Sequence, residues 1–303
     1  MNSITNIDKS WYHLFAWQGF SYEVPSEWNL AEYNIRDSVS CVRLQDDFGL
    51  RLEFEWVYVR RPVKALIIHR RYDKIASVMN RAGAVADNIE ELPAGWSACL
   101  YSMSDGKRLL TAFRLMPDSN FFCLLKIHFE SASKREAERI IRKITSTFTL
   151  YEQGLVPWAF YDISFHLHSD FKLVATSLLA GRKLLVFTWR GRRLYLFFFS
   201  LADILLQKPS MEKYCADYLN GFKAVSGVRF SAGENGTIVA RPRPWRFWGN
   251  VEPIIRGCLR YQAWCRLIPD KNQIFLGVLN YRRHADLATL AASFDSLLKP
   301  DFD

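Results

Sequence analysis

RLMPDSN occupies residues 114–120 and RLIPDKN residues 266–272. Five of the seven positions are identical, the copies stand 152 residues apart, and each runs directly into an apolar stretch, FFCLLKIHF and QIFLGVLNY. Proline fixes the backbone angle for the first corner of a tight turn, aspartate favours turn positions, and asparagine tolerates the left-handed conformation by which a chain re-enters a strand. The heptapeptide therefore predicts two equivalent hairpin loops, with Asp118 and Asp270 as turn residues rather than ligands.

Working outward, other correspondences keep the same order. SEWNL (26–30) matches SDFKL (169–173) at a separation of 143, and RLEFEW (51–56) matches RLYLFF (193–198) at 142. YDKIASVMN then faces MEKYCADYLN at 139, and TSTF ending at Phe148 faces AASF ending at Phe294 at 146. Ordered self-similarity of this kind reads as internal duplication, with one repeat over 1–150 and a second over 151–303. In RLEFEW, Leu52, Phe54 and Trp56 alternate with charged residues, which predicts a strand with one buried and one wet face. The second copy replaces Glu53 and Glu55 by Tyr195 and Phe197, so that strand is expected to be covered on both faces. Ala137, Ile140, Ile141, Ile144 and Phe148 recur at helical spacing behind a Ser133/Glu136 capping box. Leu287, Leu290, Ala291, Phe294 and Leu298 repeat the stripe, and Met211, Tyr214, Cys215, Tyr218, Leu219 and Phe222 form another. The expected fold class is α+β, two tandem repeats, each an antiparallel sheet packed with helices.

The opening FSYEVPSEWNL (20–30), with Pro25 and Trp28, followed by a strand pair, a helix, three strands with a Pro-Asp turn and a closing helix, resembles the PsbP-like superfamily. That family includes a photosystem extrinsic subunit, a small Ran-binding import factor and many bacterial domains. In repeat one the resemblance covers Phe20 to Phe148; repeat two departs from it, with His168 in place of Pro25 and Phe171 in place of Trp28. It is a resemblance of element order and anchors without a catalytic motif. It implies an antiparallel sheet with helices on it and a binding or assembly role rather than chemistry.

Composition limits the function classes. Repeat one carries 20 Lys/Arg against 18 Asp/Glu, repeat two 20 against 13, so most of the net +9 belongs to repeat two. The N-terminus lacks a secretory signal pattern. The most apolar window, LYLFFFSLADILL (194–206), is shorter than the roughly 20 residues of a spanning helix and is expected to be a buried strand. Six cysteines without a C-x-x-C pair read as reduced core thiols of a cytoplasmic protein. No nucleophile elbow, zincin motif or phosphate loop is present, so no catalytic, cofactor or metal residues are assigned. His166, His168 and Asp170 alternate as metal ligands would, but Glu23, Pro25 and Glu27 at the matching positions favour a solvated face. An enzyme with a dispersed His/carboxylate site and a purely structural subunit remain as alternatives. NGT at 235–237 reads as a hairpin turn.

The separation jump from 139 to 152 places 13 extra residues in repeat two, between its helix and the Pro-Asp turn. That interval holds ARPRPWRFWGNVEP. Arg241, Arg243 and Arg246 interleave there with Trp245 and Trp248, supplying charge for phosphates and flat rings for stacking. This arm, near 240–250, is the candidate contact for nucleic acid or another protein; the opposing reading is an arm whose tryptophans pack on its own domain. Other basic residues, Arg182, Lys183, Arg190, Arg192 and Arg193, would strengthen the first reading if they shared a surface with it.

Overall fold

The computed structural model describes residues 11–34, 39–58, 63–131, 133–225, 227–242, 257–258 and 260–286, without the side chains of 63–69 and 242. The chain divides into two compact units, Met1–Glu152 with Ala159–Tyr161, and Gln153–Trp158 with Asp162–Asp303.

Unit 1 opens with a hairpin, β1 (Tyr12–Trp17) and β2 (Phe20–Pro25), followed by β3 (Asn29–Asn34), β4 (Ser40–Asp46) and β5 (Gly49–Tyr58). Helix α1 (Val63–Arg81) leads to β6 (Val85–Ile89), β7 (Trp96–Ser102), β8 (Arg108–Met116) and β9 (Phe121–Phe129); α2 (Lys134–Thr147) and β10 (Thr149–Leu150) close it. Its sheet runs β3-β4-β5-β9-β8-β7-β6. One face of β5 presents Leu52, Phe54 and Trp56, all buried. Phe20 of the hairpin meets Phe54 at 4.5 Å and Trp56 at 4.9 Å, and Phe148 lies 6.0 Å from Phe54. The other face carries α1, whose Tyr72 and Ile75 pack on Val57, Phe122 and Leu124. Ala137, Ile140, Ile141 and Ile144 are buried, and the Ser133 side chain accepts the Glu136 N–H at 3.1 Å, capping α2.

After β11 (Leu155–Phe160) and β12 (Ile163–His168), unit 2 continues through β13 (Lys172–Leu179), β14 (Arg182–Trp189) and β15 (Arg192–Ser200). Two helices follow, α3 (Ala202–Leu205) and α4 (Met211–Gly221), then β16 (Val228–Ala232), β17 (Thr237–Pro242), β18 (Arg260–Ile268) and β19 (Gln273–Tyr281). The sheet order is β13-β14-β15-β19-β18-β17-β16, which is unit 1's order element for element. The two Pro-Asp loops also match in detail. Asn120 and Asn272 both adopt left-handed conformations (φ 48° and 47°), and each donates its N–H to the proline carbonyl three residues back, at 3.1 and 2.9 Å. Asn235 and Gly236 have positive φ and close the β16–β17 turn, as the Asn-Gly pair predicts.

The expectation of helix-packed α+β repeats is corrected: the described residues form nineteen strands, every pairing antiparallel, against four α-helices, so the chain is predominantly β. Helix stripes announce themselves in sequence, whereas edge strands with exposed residues, such as β6 (VADNI) and β13 (KLVATSLL), do not alternate cleanly and go uncounted. The window 194–206 is likewise not one strand. β15 ends at Ser200, Leu201 turns the chain with φ 61°, and α3 follows. The second closing stripe, Leu287 to Leu298, lies outside the described residues.

The two sheets differ most in one row of cross-strand neighbours. In unit 1, Glu53 sits opposite Arg43 on one side and Lys126 on the other; in unit 2, Tyr195 sits opposite Val186 and Val278. The apolar row joins Phe197 and Phe199 under Cys215, Ala216 and Leu219 of α4. An apolar row can be roofed by a helix, while a charged row must keep its partners or water.

Candidate basic interface

Strand register decides which arginines share a surface. At one end of unit 2's sheet, β14 turns into β15 through Arg190 and Gly191, Arg193 faces Asn280 across the β15–β19 ladder, and Arg260 faces Tyr281. Arg282 and Arg283 follow directly as β19 ends. Arg241, near the end of β17, reaches the same level and is paired across β16 with Arg229. Arg190, Arg241, Arg260, Arg282, Arg283 and Arg229 are all exposed. Like charges directly opposite on a hairpin are unfavourable, so the Arg229/Arg241 pair is not explained by stability.

Arg192 organises this end. Its guanidinium grips Asp286 through two bonds, 2.7 and 3.1 Å, and lies 5.0 Å from the Trp189 ring. Asp286 also accepts the N–H groups of Arg282 and Arg283 at 3.0 Å each, fixing the chain where it leaves β19. The Arg192 guanidinium holds this carboxyl down at about 2. Among the described residues at this end, the exposed arginines and Lys172 outweigh Asp170 at the β13 edge. A Cβ added to Gly191 would lie 3.4 Å from Arg282 Nη2, and one on Gly257 3.8 Å from its Nε, so Arg282 lies between the β14–β15 turn and the segment returning to β18.

The long connection belongs to this end too. β17 and β18 are joined by residues 243–259, whereas the equivalent β7–β8 connection is only 103–107. Among the described residues, β17 pairs with β18 at Thr237↔Trp264 and Ile238↔Ala263, while β7 pairs with β8 over seven positions. The β16–β17 hairpin therefore diverges from the sheet toward the arginine-rich end. Of the residues singled out in sequence, Arg241 stands exposed at the base of this connection; Arg243, Trp245, Arg246 and Trp248 lie outside the described residues. Arg190, Arg192 and Arg193 are at the same end as Arg241. Arg182 and Lys183 are at the opposite one, where they meet Tyr218 and Asp162. Arg260, Arg282, Arg283 and Arg229 were missed, although YRRH directly after an apolar strand run was a readable signal.

A second polar constellation lies on unit 1's charged row. Glu53 takes His128 at 3.1 Å, Arg43 at 3.3 Å and Lys126 at 3.6 Å; Glu55 takes Lys126 at 2.8 Å and Arg71. The His128 hydrogen bond, with help from Lys126 and Arg43, lowers the Glu53 carboxyl to about 2, while burial and the two glutamates push the Cys41 thiol up to about 11. These carboxylates are spent on cations and the thiol is held protonated, a poor arrangement for a base or nucleophile. A folded value of about 2 against an ordinary 4.5 means that Glu53 adds stability above about pH 4.5, lost as pH falls toward 2. Glu53→Gln is therefore expected to flatten the acid limb of the urea-midpoint profile over that window. Parallel profiles for variant and wild type would remove the network's role.

His168 and Asp170 approach to 3.7 Å, and among the described residues no group of three His, Cys, Asp or Glu is arranged to hold a metal ion. No described helix is long and apolar enough to cross a membrane.

No family model matches this chain, and no curated protein matches it. Among solved structures it is similar to the solution structure of cyanobacterial PsbP (CyanoP) from Synechocystis sp. PCC 6803, at 13% identity, covering 50% of this chain and 99% of that chain, with a TM-score of 0.33.

Proposed function

We propose that this chain is a non-catalytic binding protein made of two copies of one module, 1–150 and 151–303, and that the second copy holds a nucleic acid at its arginine-rich end. The duplication is supported by the identical strand orders and the two matching Pro-Asp loops. The observation carrying the binding role is that arginines at the ends of β14, β15, β17, β18 and β19 lie at one end of unit 2's sheet, the end from which the 243–259 connection departs and to which it returns. Arginine pairs bidentately with phosphate and stacks on flat rings, and the sequence of the connection adds Arg243, Arg246, Trp245 and Trp248. The six free cysteines support a cytoplasmic setting.

Binding of a fluorescent single-stranded oligonucleotide across a salt series tests this. Replacing Arg190, Arg260 and Arg283 together by glutamine is expected to weaken binding and to reduce the log–log salt slope by about 2, at about 0.7 for each phosphate no longer neutralised. Replacing Arg241, Arg243 and Arg246 should act alike. Trp245→Ala and Trp248→Ala should weaken binding with little change in slope, since stacking releases few counterions. No measurable affinity for single- or double-stranded nucleic acid at low salt ends the proposal. Tryptophan variants that chiefly lower the melting temperature would make the arm a structural clasp.

A further inference from the structure

Unit 1 contains a groove that the basic end of unit 2 does not explain. It has a volume of about 570 Å³ and is lined by Tyr12, Glu91, Leu92, Pro93 and, from α2, Arg139, Arg142, Lys143 and Ser146. That volume falls within the range of small-molecule sites, roughly 300–1,000 Å³. The α2 residues are spaced three, four and seven apart, which puts them on one helical face, opposite the buried Ala137, Ile140, Ile141 and Ile144.

The three cations are not equivalent. Arg142 is held by Glu91 at 2.8 Å, and Lys143 by Glu23 at 2.8 Å while its ammonium lies 5.5 Å from the Tyr12 ring. Arg139 is exposed and has no ion-pair partner among the described residues. Two cations are thus fixed in place and a third is left to a ligand, with Leu92, Pro93 and the Tyr12 ring as apolar wall. Arg139, Arg142 and Lys143 against their partners Glu91 and Glu23 leave +1, the excess charge being that of Arg139. A phosphomonoester carries about −2 at neutral pH and three strong acceptor oxygens, whereas a carboxylate carries −1.

We infer that this groove is a binding site for the phosphate of a small phosphomonoester, with Arg139 as the principal anchor and the Tyr12–Leu92–Pro93 wall receiving its apolar body. Calorimetric titration of the full chain with phenyl phosphate, inorganic phosphate and benzoate tests it. Phenyl phosphate is expected to bind at least about fivefold more tightly than either of the others, since each lacks half of the recognised chemistry. Arg139→Gln should weaken phenyl phosphate about tenfold, the loss of one charge-assisted hydrogen bond, without moving the ligand-free melting temperature. Arg260→Gln, in unit 2, should leave the affinity unchanged. Three results overturn the inference: no phenyl phosphate binding at millimolar concentration, unchanged affinity in Arg139→Gln, or an equal loss in Arg260→Gln, which would assign the anion to unit 2. The nucleic-acid proposal stands or falls separately.

Discussion

Ile141→Asp is expected to lower the melting temperature of unit 1 by about 10 °C. Ile141 is fully buried, and its helical neighbours Ala137, Ile140 and Ile144 are buried with it. Aspartate there has no described cation on the same stripe, so it is either ionised without a partner or protonated with its hydrogen bonds unmade. Either state costs roughly 3–5 kcal/mol, and about 2–4 °C accompanies each kcal/mol in a domain of this size. Thermal unfolding followed by circular dichroism reads the result. A midpoint within about 2 °C of wild type would mean that the α2 stripe faces solvent.

Phe197→Ala should cost about as much in unit 2, roughly 3–5 kcal/mol, through lost transfer energy and an unfilled cavity. Phe197 is fully buried, and the rings of Phe222, Tyr218 and Phe199 lie 5.2, 5.3 and 6.1 Å away. The matching position in unit 1 is Glu55, paired with Lys126 and the partly exposed Arg71. Glu55→Ala is expected to cost less, about 1–2 kcal/mol, because Lys126 keeps Glu53 as a partner and Arg71 is half exposed to water. Urea midpoints for the two variants should therefore differ several-fold in their displacement from wild type. Equal displacements would mean that the charged and apolar rows do equivalent work.

What the sequence displayed was whatever a single segment decides for itself. Pro117 and Asn120 write a turn, Ser133 writes a cap, and the alternation of Leu52, Phe54 and Trp56 writes a strand, because the relevant contacts lie within a few residues or on one repeating face. What it concealed depends on partners far along the chain. β6 and β13 are strands because neighbours pair with them, not because their own residues alternate. Leu201 breaks the 194–206 window by a backbone conformation that leucine does not advertise. The arginine cluster was half visible: the charge-rich insertion was legible, but the antiparallel register that puts Arg260 and Arg283 at the same sheet end as Arg241 and takes Arg182 and Lys183 away is written in no single segment.

The divergence of β17 from β18 gives the outer hairpin its own mechanical allegiance. Toward β18 it is tied at its turn, where Cys265 donates its N–H to the Gly236 carbonyl at 2.7 Å and two residue pairs follow. Toward α4 it is clamped twice: the Asn220 amide brackets the backbone of Phe230 at 2.9 and 3.0 Å, and Glu212 accepts the Gly236 N–H at 3.2 Å. Among the described residues, a pull on β17 therefore meets a short backbone seam toward β18, at Thr237 and Ile238, together with the packing of Phe230 on Tyr261. Its firmer backbone ties run to β16 and α4, so local opening of the outer hairpin is expected to start at the β17–β18 seam. Load carried by β17 thus passes into α4, the roof of unit 2's core, as well as into β18.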